Sequence, residues 1–200
     1  MKKSRLEAFS DGVIAIIITI MVLELKLPPH GHDDFTALFL MAPFFLSYVL
    51  SFINVGIYWN NHHHMLYLVK SITGGALWAN LNLLFWLSLL PFGTEWMAEN
   101  NFSTWPVAVY GMILIMCGLA YTLLTNILVS HCGKNSELAE AVGKDWKGKA
   151  SLVIYAVAIA LAFVNSMISC ALYVVVACMW FIPDSRIERK VYTKNPSTDD

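Results

Sequence analysis

The stretch RLEAFSDGVIAIIITIMVLELKL, residues 5–27, decides the fold of this chain. It begins with charged and polar side chains and continues as an almost unbroken apolar segment. Between Val13 and Leu23 the only polar side chain is that of Thr19. About 20 apolar residues are enough for a helix to cross the hydrocarbon core of a membrane. The stretch therefore predicts a membrane helix that carries charge in its leading turns.

The carboxylate of Asp11 lies next to this apolar run. An ionised carboxylate near hydrocarbon costs roughly 2.5–3.5 kcal/mol even on the lenient insertion scale. We therefore expect Asp11 to have a partner or water, and this demand is the first indication of a functional region.

The composition agrees with a membrane protein, since 58% of the 200 residues are hydrophobic and only 14% are charged. A soluble domain of this length does not have that balance. Six apolar stretches lie at residues 9–27, 35–59, 74–92, 105–129, 150–164 and 167–182. They predict an all-α membrane protein with six transmembrane helices in one domain, residues 1–190. The polar tail at residues 191–200 has the composition of disorder.

The last two apolar stretches are short, and Asn165 and Ser166 separate them. They form either a tight hairpin of two helices or one interrupted span. We favour the hairpin, because the apolar residues between 150 and 182 suit two short crossings better than one.

The basic residues predict the orientation. If both termini are cytoplasmic, six spans place twelve of the 13 lysines and arginines inside, and only Lys26 outside. The inner residues are Lys2, Lys3, Arg5, Lys70, Lys134, Lys144, Lys147, Lys149, Arg186, Arg189, Lys190 and Lys194. Such a bias is the usual signature of cytoplasmic loops. It also supports an even number of spans.

Three consecutive histidines, His62 to His64, resemble a metal site at first sight. Consecutive residues on a helix point about 100° apart, so the three rings do not converge on one ion within a single helix. We expect one or two of them to form hydrogen bonds to a neighbouring helix. A contact of His62 or His63 with Asp11 or Arg5 is a specific expectation.

Several function classes have little support. The four cysteines show no two-residue pairing motif and are expected to be reduced structural thiols. No nucleophile and base occur at a credible spacing, so the chain is not expected to be an enzyme. The net charge of −1 gives no reason to expect nucleic-acid binding. A proton- or cation-coupled transporter remains the alternative, although ionisable residues are nearly absent from the middle of the spans.

Helical geometry gives the first span a distinct stripe. Gly12, Ile16, Thr19 and Leu23 lie within about 60° of one another at 100° per residue. Asp11 lies about 140° from Ile16, so it turns toward the subunit's other helices when Ile16 faces a shared axis. The residues alone leave two readings of the stripe open: a pore wall, or ordinary packing and lipid contact.

The start of the first span resembles the transmembrane protein 175 family of endosomal and lysosomal potassium channels and their prokaryotic relatives. The resemblance lies in Arg5, three intervening residues, then Phe9, Ser10 and Asp11. Residues 58–64 and the segment NLNLLFWLSLLPF at residues 80–92 are further matches. The last three spans match only as apolar helices.

This resemblance implies a potassium-permeable channel built as a homotetramer, with the first helix lining a central pore in a prokaryotic plasma membrane. The implied pore and gate positions are Ile16, Thr19 and Leu23, with Ile20 as a weaker lining position. A structural network is implied for Arg5, Phe9, Ser10, Asp11, His62, His63 and Asn80. Permeating potassium ions, the bilayer and further copies of the chain are the only partners expected, and no cofactor is. Because the sequence contains no TVGYG-type filter, we expect a hydrophobic constriction and modest selectivity for potassium over sodium.

Overall fold

The computed structural model describes residues 3–25, 39–133, 135–143 and 145–181. Regular structure in these residues is helical. The helices are α1 Lys3–Leu23, α2 Ala42–Tyr67, α3 Gly74–Ser88, α4 Leu90–Glu99, α5 Thr104–Cys132, α6 Glu137–Val142, α7 Trp146–Ala162 and α8 Ser166–Phe181. The predicted tail at residues 191–200 lies outside the described residues.

Four segments are long and apolar enough to cross a membrane. They are Lys3–Leu23, Ala42–Tyr67, Gly74–Glu99 and Thr104–Cys132. The all-α class is confirmed. Helices α7 and α8, of 17 and 16 residues, are shorter than a perpendicular crossing usually requires. Six crossings therefore stay a prediction.

The third segment differs from the single stretch expected at residues 74–92. It consists of α3 and α4 joined at Leu89 and continues to Glu99. Pro91 lies in the first turn of α4, where its missing N–H removes no hydrogen bond that the helix needs. The proline thus explains why a second helix begins here, and the apolar pattern alone does not reveal this interruption.

The last two helices form the expected hairpin. Ser169 Oγ donates to the backbone oxygen of Ala158 at 2.7 Å, and Trp180 Nε1 donates to Ser151 Oγ at 2.8 Å. Ser169 and Ala158 lie near the turn between the two helices, and Trp180 and Ser151 lie farther from it. Contacts at both distances from the turn show that the two helices run antiparallel. Asn165 Oδ1 accepts from the backbone N–H of Met167 and so caps the start of α8.

The connector between α5 and α7 contains α6, whose buried Leu138 anchors it to the bundle. Helix α7 begins at Trp146, four residues before the predicted stretch. Asp145 explains the earlier start, because its Oδ1 accepts from the backbone N–H of Gly148 at 3.1 Å and caps the helix.

Polar side chains join the helices inside the bundle. Ser51 Oγ of α2 lies 2.6 Å from Thr94 Oγ1 of α4 and 2.8 Å from the hydroxyl of Tyr110 in α5. All three residues are buried. Because no water reaches such groups in hydrocarbon, they satisfy one another and fix how the three helices pack.

Candidate functional site on the first helix

Helix α1 has one buried face and one exposed face. The buried residues Leu6, Ser10, Ile14, Ile17 and Met21 follow the spacing of a single helical stripe. They face α2, α3 and α4 of the same chain. The helix is therefore attached to the rest of the chain by a face that carries Ser10.

The stripe predicted from the helical wheel lies on the opposite side. Ile16 is 57% exposed and Leu23 is 79% exposed, and Gly12 and Thr19 are also exposed. Ile20 is exposed to a lesser extent, at 41%. The described chain thus leaves this apolar face uncovered, and a face of this kind is available to lipid or to another copy of the chain.

Thr19 is the only hydroxyl on the exposed stripe. Its Oγ1 donates to the backbone oxygen of Ile16 at 2.9 Å. This bond occupies the hydroxyl hydrogen and fixes the side chain against the helix. The oxygen lone pairs remain available as acceptors on the exposed face.

A chain of buried hydrogen bonds attaches the face of α1 that carries Ser10 to α2 and α3. Asn80 Nδ2 donates to Ser10 Oγ at 2.9 Å, and Asn80 Oδ1 lies 2.7 Å from His62 Nε2. The amide oxygen only accepts, so His62 carries its hydrogen on Nε2. All three side chains are at most 2% exposed. The structure therefore brings together three residues of the structural network that the family resemblance implied.

Asp11 has a partner that the sequence did not predict. Trp59 Nε1 donates to Asp11 Oδ1 at 3.0 Å, at an exposed position. His63 packs against the Trp59 ring, with the ring centroids 6.2 Å apart. We expected a contact of His62 or His63 with Asp11 or Arg5. Among the described residues, His62 instead bonds to Asn80, and Asp11 bonds to Trp59. The only sequence signal for this donor is the position of Trp59, which directly precedes the polar residues Asn60–His64.

Arg5 and Phe9 lie outside this hydrogen-bonded chain. Both are exposed, and the described residues offer Arg5 neither a hydrogen bond nor an ion pair. Arg5 is within about 20° of Ile16 on the helical wheel, so it lies on the uncovered stripe. Lys3 instead joins the first turn of α1 to α2, because its Nζ donates to the backbone oxygen of Tyr67 at 3.3 Å. The same Nζ lies 3.5 Å from Glu7 Oε1 in α1.

The described residues contain no candidate metal site, since no group of three His, Cys, Asp or Glu side chains among them is placed to hold an ion. Of the three consecutive histidines, only His62 is buried, and its ring bonds to Asn80. The four cysteines form no disulfide among the described residues; Cys117 is buried and Cys178 is exposed.

Comparison with known proteins adds independent information. A family model described as endosomal/lysosomal potassium channel TMEM175 matches residues 5–91. A potassium channel of Chryseobacterium sp. is 51% identical over 96% of this chain and 98% of its own length. A potassium channel of Chamaesiphon minutus is 31% identical over 86% of this chain and 90% of its own length.

One solved structure is also similar. It is the crystal structure of a lysosomal potassium-selective channel TMEM175 homologue from Chamaesiphon minutus, with a TM-score of 0.80 and 28% identity. The match covers 91% of this chain and 97% of that one. The similarity therefore extends beyond the first three spans to nearly the whole chain.

Proposed function

Because the chain belongs to the TMEM175 family, we propose that it is a potassium-permeable cation channel whose pore is lined by α1 in a homotetramer. The observation that carries this proposal is the uncovered stripe of α1. The stripe is continuous, it contains no ionisable side chain between Gly12 and Leu23, and it lies opposite the face that attaches α1 to its own subunit.

In this proposal the stripe forms a hydrophobic constriction. Four copies of Ile16 and Leu23 around an axis narrow the pore with aliphatic side chains. A narrow aliphatic ring expels water and then stops ions, since a hydrated ion does not enter a dry constriction. Conduction requires the four α1 helices to rotate or move apart, and Ile20 then joins the lining from the edge of the stripe.

Thr19 lies between the two apolar rings. Its hydroxyl hydrogen is committed to Ile16, so a ring of Thr19 oxygens presents lone pairs to a permeating cation. These oxygens replace part of the ion's water shell. Potassium gives up water more easily than sodium, and the resulting preference is modest because no backbone-carbonyl cage surrounds the ion.

Acidic side chains lie toward the Leu23 end of the stripe. Glu24 and Glu95 line a groove that also borders Ile16, Ile20 and Phe92. Negative charge near a pore entrance raises the local concentration of cations. Arg5 lies at the opposite end of the stripe, so the two ends of the proposed pore differ in charge.

The proposed orientation puts both termini in the cytoplasm of a prokaryotic cell. The twelve-to-one distribution of basic residues supports this orientation. The bacterial origin of the similar channels supports a prokaryotic plasma membrane.

Ion flux into liposomes tests the function directly. Vesicles that contain the purified protein should pass potassium faster than protein-free vesicles, and potassium faster than sodium by about tenfold or less. That range corresponds to at most about 1.4 kcal/mol, which is within the net value of one hydrogen bond exchanged with water. Flux equal to that of protein-free vesicles, with the protein shown to be incorporated and oligomeric, would refute a channel.

Asp11 is proposed to fasten α1 and not to coordinate ions. Asp11→Ala removes the acceptor of the Trp59 indole and should lower the apparent unfolding temperature by about 2–5 °C, since one exposed hydrogen bond is lost. Asp11→Asn keeps an oxygen acceptor and is the matched control. The potassium-to-sodium flux ratio should stay unchanged in both variants. Normal stability and assembly of Asp11→Ala combined with an altered ratio would show that Asp11 faces the permeating ion.

A further inference from the structure

A cavity with aromatic walls lies between α2, α5, α7 and α8. Its lining includes Tyr58, Tyr121, Tyr155, Trp180 and Asp145. It is separate from the exposed stripe of α1, since no α1 residue lines it. The free volume of about 50 Å³ is several times the roughly 10–15 Å³ that one water molecule needs. A molecule of a few heavy atoms therefore fits.

The aromatic walls are held in place by contacts of their own. The rings of Tyr58 and Tyr121 meet edge to face, with centroids 6.0 Å apart. The hydroxyl of Tyr121 donates to the backbone oxygen of Asn61, and the Trp180 indole donates to Ser151. These bonds fix the rings before any ligand arrives.

Two tyrosine hydroxyls at the cavity have no hydrogen-bonding partner among the described residues. Tyr155 is only 4% exposed, and neither its hydroxyl nor that of Tyr58 bonds to any group in the described part of the chain. No fully buried side-chain nitrogen or oxygen there lacks a partner. Both hydroxyls are therefore accessible to a molecule the size of water, and both residues line the cavity. An accessible hydroxyl without a protein partner is available to bond to a molecule in the cavity.

A carboxylate completes the lining. One oxygen of Asp145 caps α7 through the N–H of Gly148, and the other has no hydrogen bond within the described ranges. A Cβ on residue 148 would overlap both carboxylate oxygens. The glycine therefore lets the carboxylate lie across the start of α7, at the cavity.

We propose that this cavity binds a small organic ammonium ion. Ring faces of tyrosine and tryptophan attract a cation through their quadrupoles, and a carboxylate adds charge complementarity. The free hydroxyls of Tyr58 and Tyr155 accept hydrogen bonds from an ammonium group or bond to a ligand hydroxyl. A bare metal ion fits less well, because it requires several oxygen ligands and these walls consist largely of rings and aliphatic carbon.

Equilibrium dialysis of radiolabelled ethanolamine against the purified protein tests this proposal without any flux measurement. Its failure would therefore leave the proposed channel function untouched. Saturable binding is expected, and an excess of 1-propanol, which replaces the ammonium group by a methyl group of similar size, should not compete. Absence of saturable binding at millimolar ethanolamine, or equal competition by 1-propanol, would overturn the proposal.

Two variants locate the binding. Asp145→Asn keeps a side chain that caps α7 equally well but removes the charge, so the Kd should rise at least about tenfold. Tyr155→Phe keeps the ring and removes the hydroxyl, and the Kd should rise severalfold. Tyr48→Phe, a tyrosine of α2 that does not line the cavity, is the matched control and should bind as the wild type does. Unchanged affinity in both Asp145→Asn and Tyr155→Phe would place the ligand elsewhere and refute this site.

Discussion

Replacing Ile16 with asparagine is expected to raise the cation leak of protein-containing liposomes by at least about tenfold. Ile16 lies in the middle of the exposed stripe of α1 and is 57% exposed in the single chain. In the proposed tetramer its four copies form one ring of the constriction. A tenfold increase in flux requires the barrier to permeation to fall by only about 1.4 kcal/mol.

The physical reason is hydration of the ring. An aliphatic constriction stays dry because its walls offer water no hydrogen bonds, and an ion that enters it loses its hydration shell. Asparagine side chains are smaller than isoleucine and polar, so they hold water in the same place. The ion then keeps more of its shell, so the closed state conducts.

Val22→Asn is the matched control for this experiment. Val22 is also apolar and exposed on α1, at 46%, but it lies about 120° from Ile16 on the helical wheel. The same polar group therefore enters the same helix away from the proposed pore, and the flux should remain that of the wild type. An unchanged leak in Ile16→Asn at equal incorporation, or an equal rise in Val22→Asn, would remove Ile16 from the gate.

The two faces of α1 could be predicted from the sequence because helical periodicity is local. Ile14 and Ile17 are buried, whereas Ile16 is exposed, although all three are isoleucines. Hydrophobicity alone does not separate them. Helical geometry placed Asp11 about 140° from Ile16, so Asp11 turns toward the other helices when Ile16 faces a shared axis. The assignment of the Ile16 face to a pore came from the family resemblance.

Other parts of the site depend on contacts between distant residues. Trp59 reaches Asp11 across 48 positions of sequence, and only the packing of α1 against α2 decides that the indole, and not a histidine, is the donor. The aromatic cavity lies between four helices, and each of them contributes one of its aromatic rings. Neither arrangement leaves a periodic signal in any one helix, so the sequence did not predict them.

The exact limits of the helices depend on individual capping residues. The cap at Asp145 starts α7 four residues before its apolar stretch, and Pro91 divides the third span where hydropathy is continuous. Hydropathy reports which residues tolerate hydrocarbon. Backbone hydrogen bonding decides where a helix begins.

Asn80→Ala is expected to destabilise the protein more than any other change in the network. The asparagine is fully buried and bonds to Ser10 on one side and to His62 on the other. Its removal leaves two buried polar groups without partners in a region that water does not reach. Each orphaned group costs about 1–3 kcal/mol, so the apparent unfolding temperature should fall by roughly 5–15 °C.

Asn100→Ala is the matched control. Asn100 is exposed, and among the described residues its amide bonds only to the carbonyl of Trp96 in the preceding helix α4. Its loss should change stability by no more than about 0.5 kcal/mol. The double variant Ser10→Ala with Asn80→Ala is the sharper test. Removing both partners of one bond orphans fewer groups than the two single changes together, so the double variant should lose less stability than their sum. Two results would contradict this prediction: strict additivity of the two single changes, or equal effects of Asn80→Ala and Asn100→Ala. Either would mean that the hydrogen bonds of Asn80 with Ser10 and His62 do not hold α1 against the other helices.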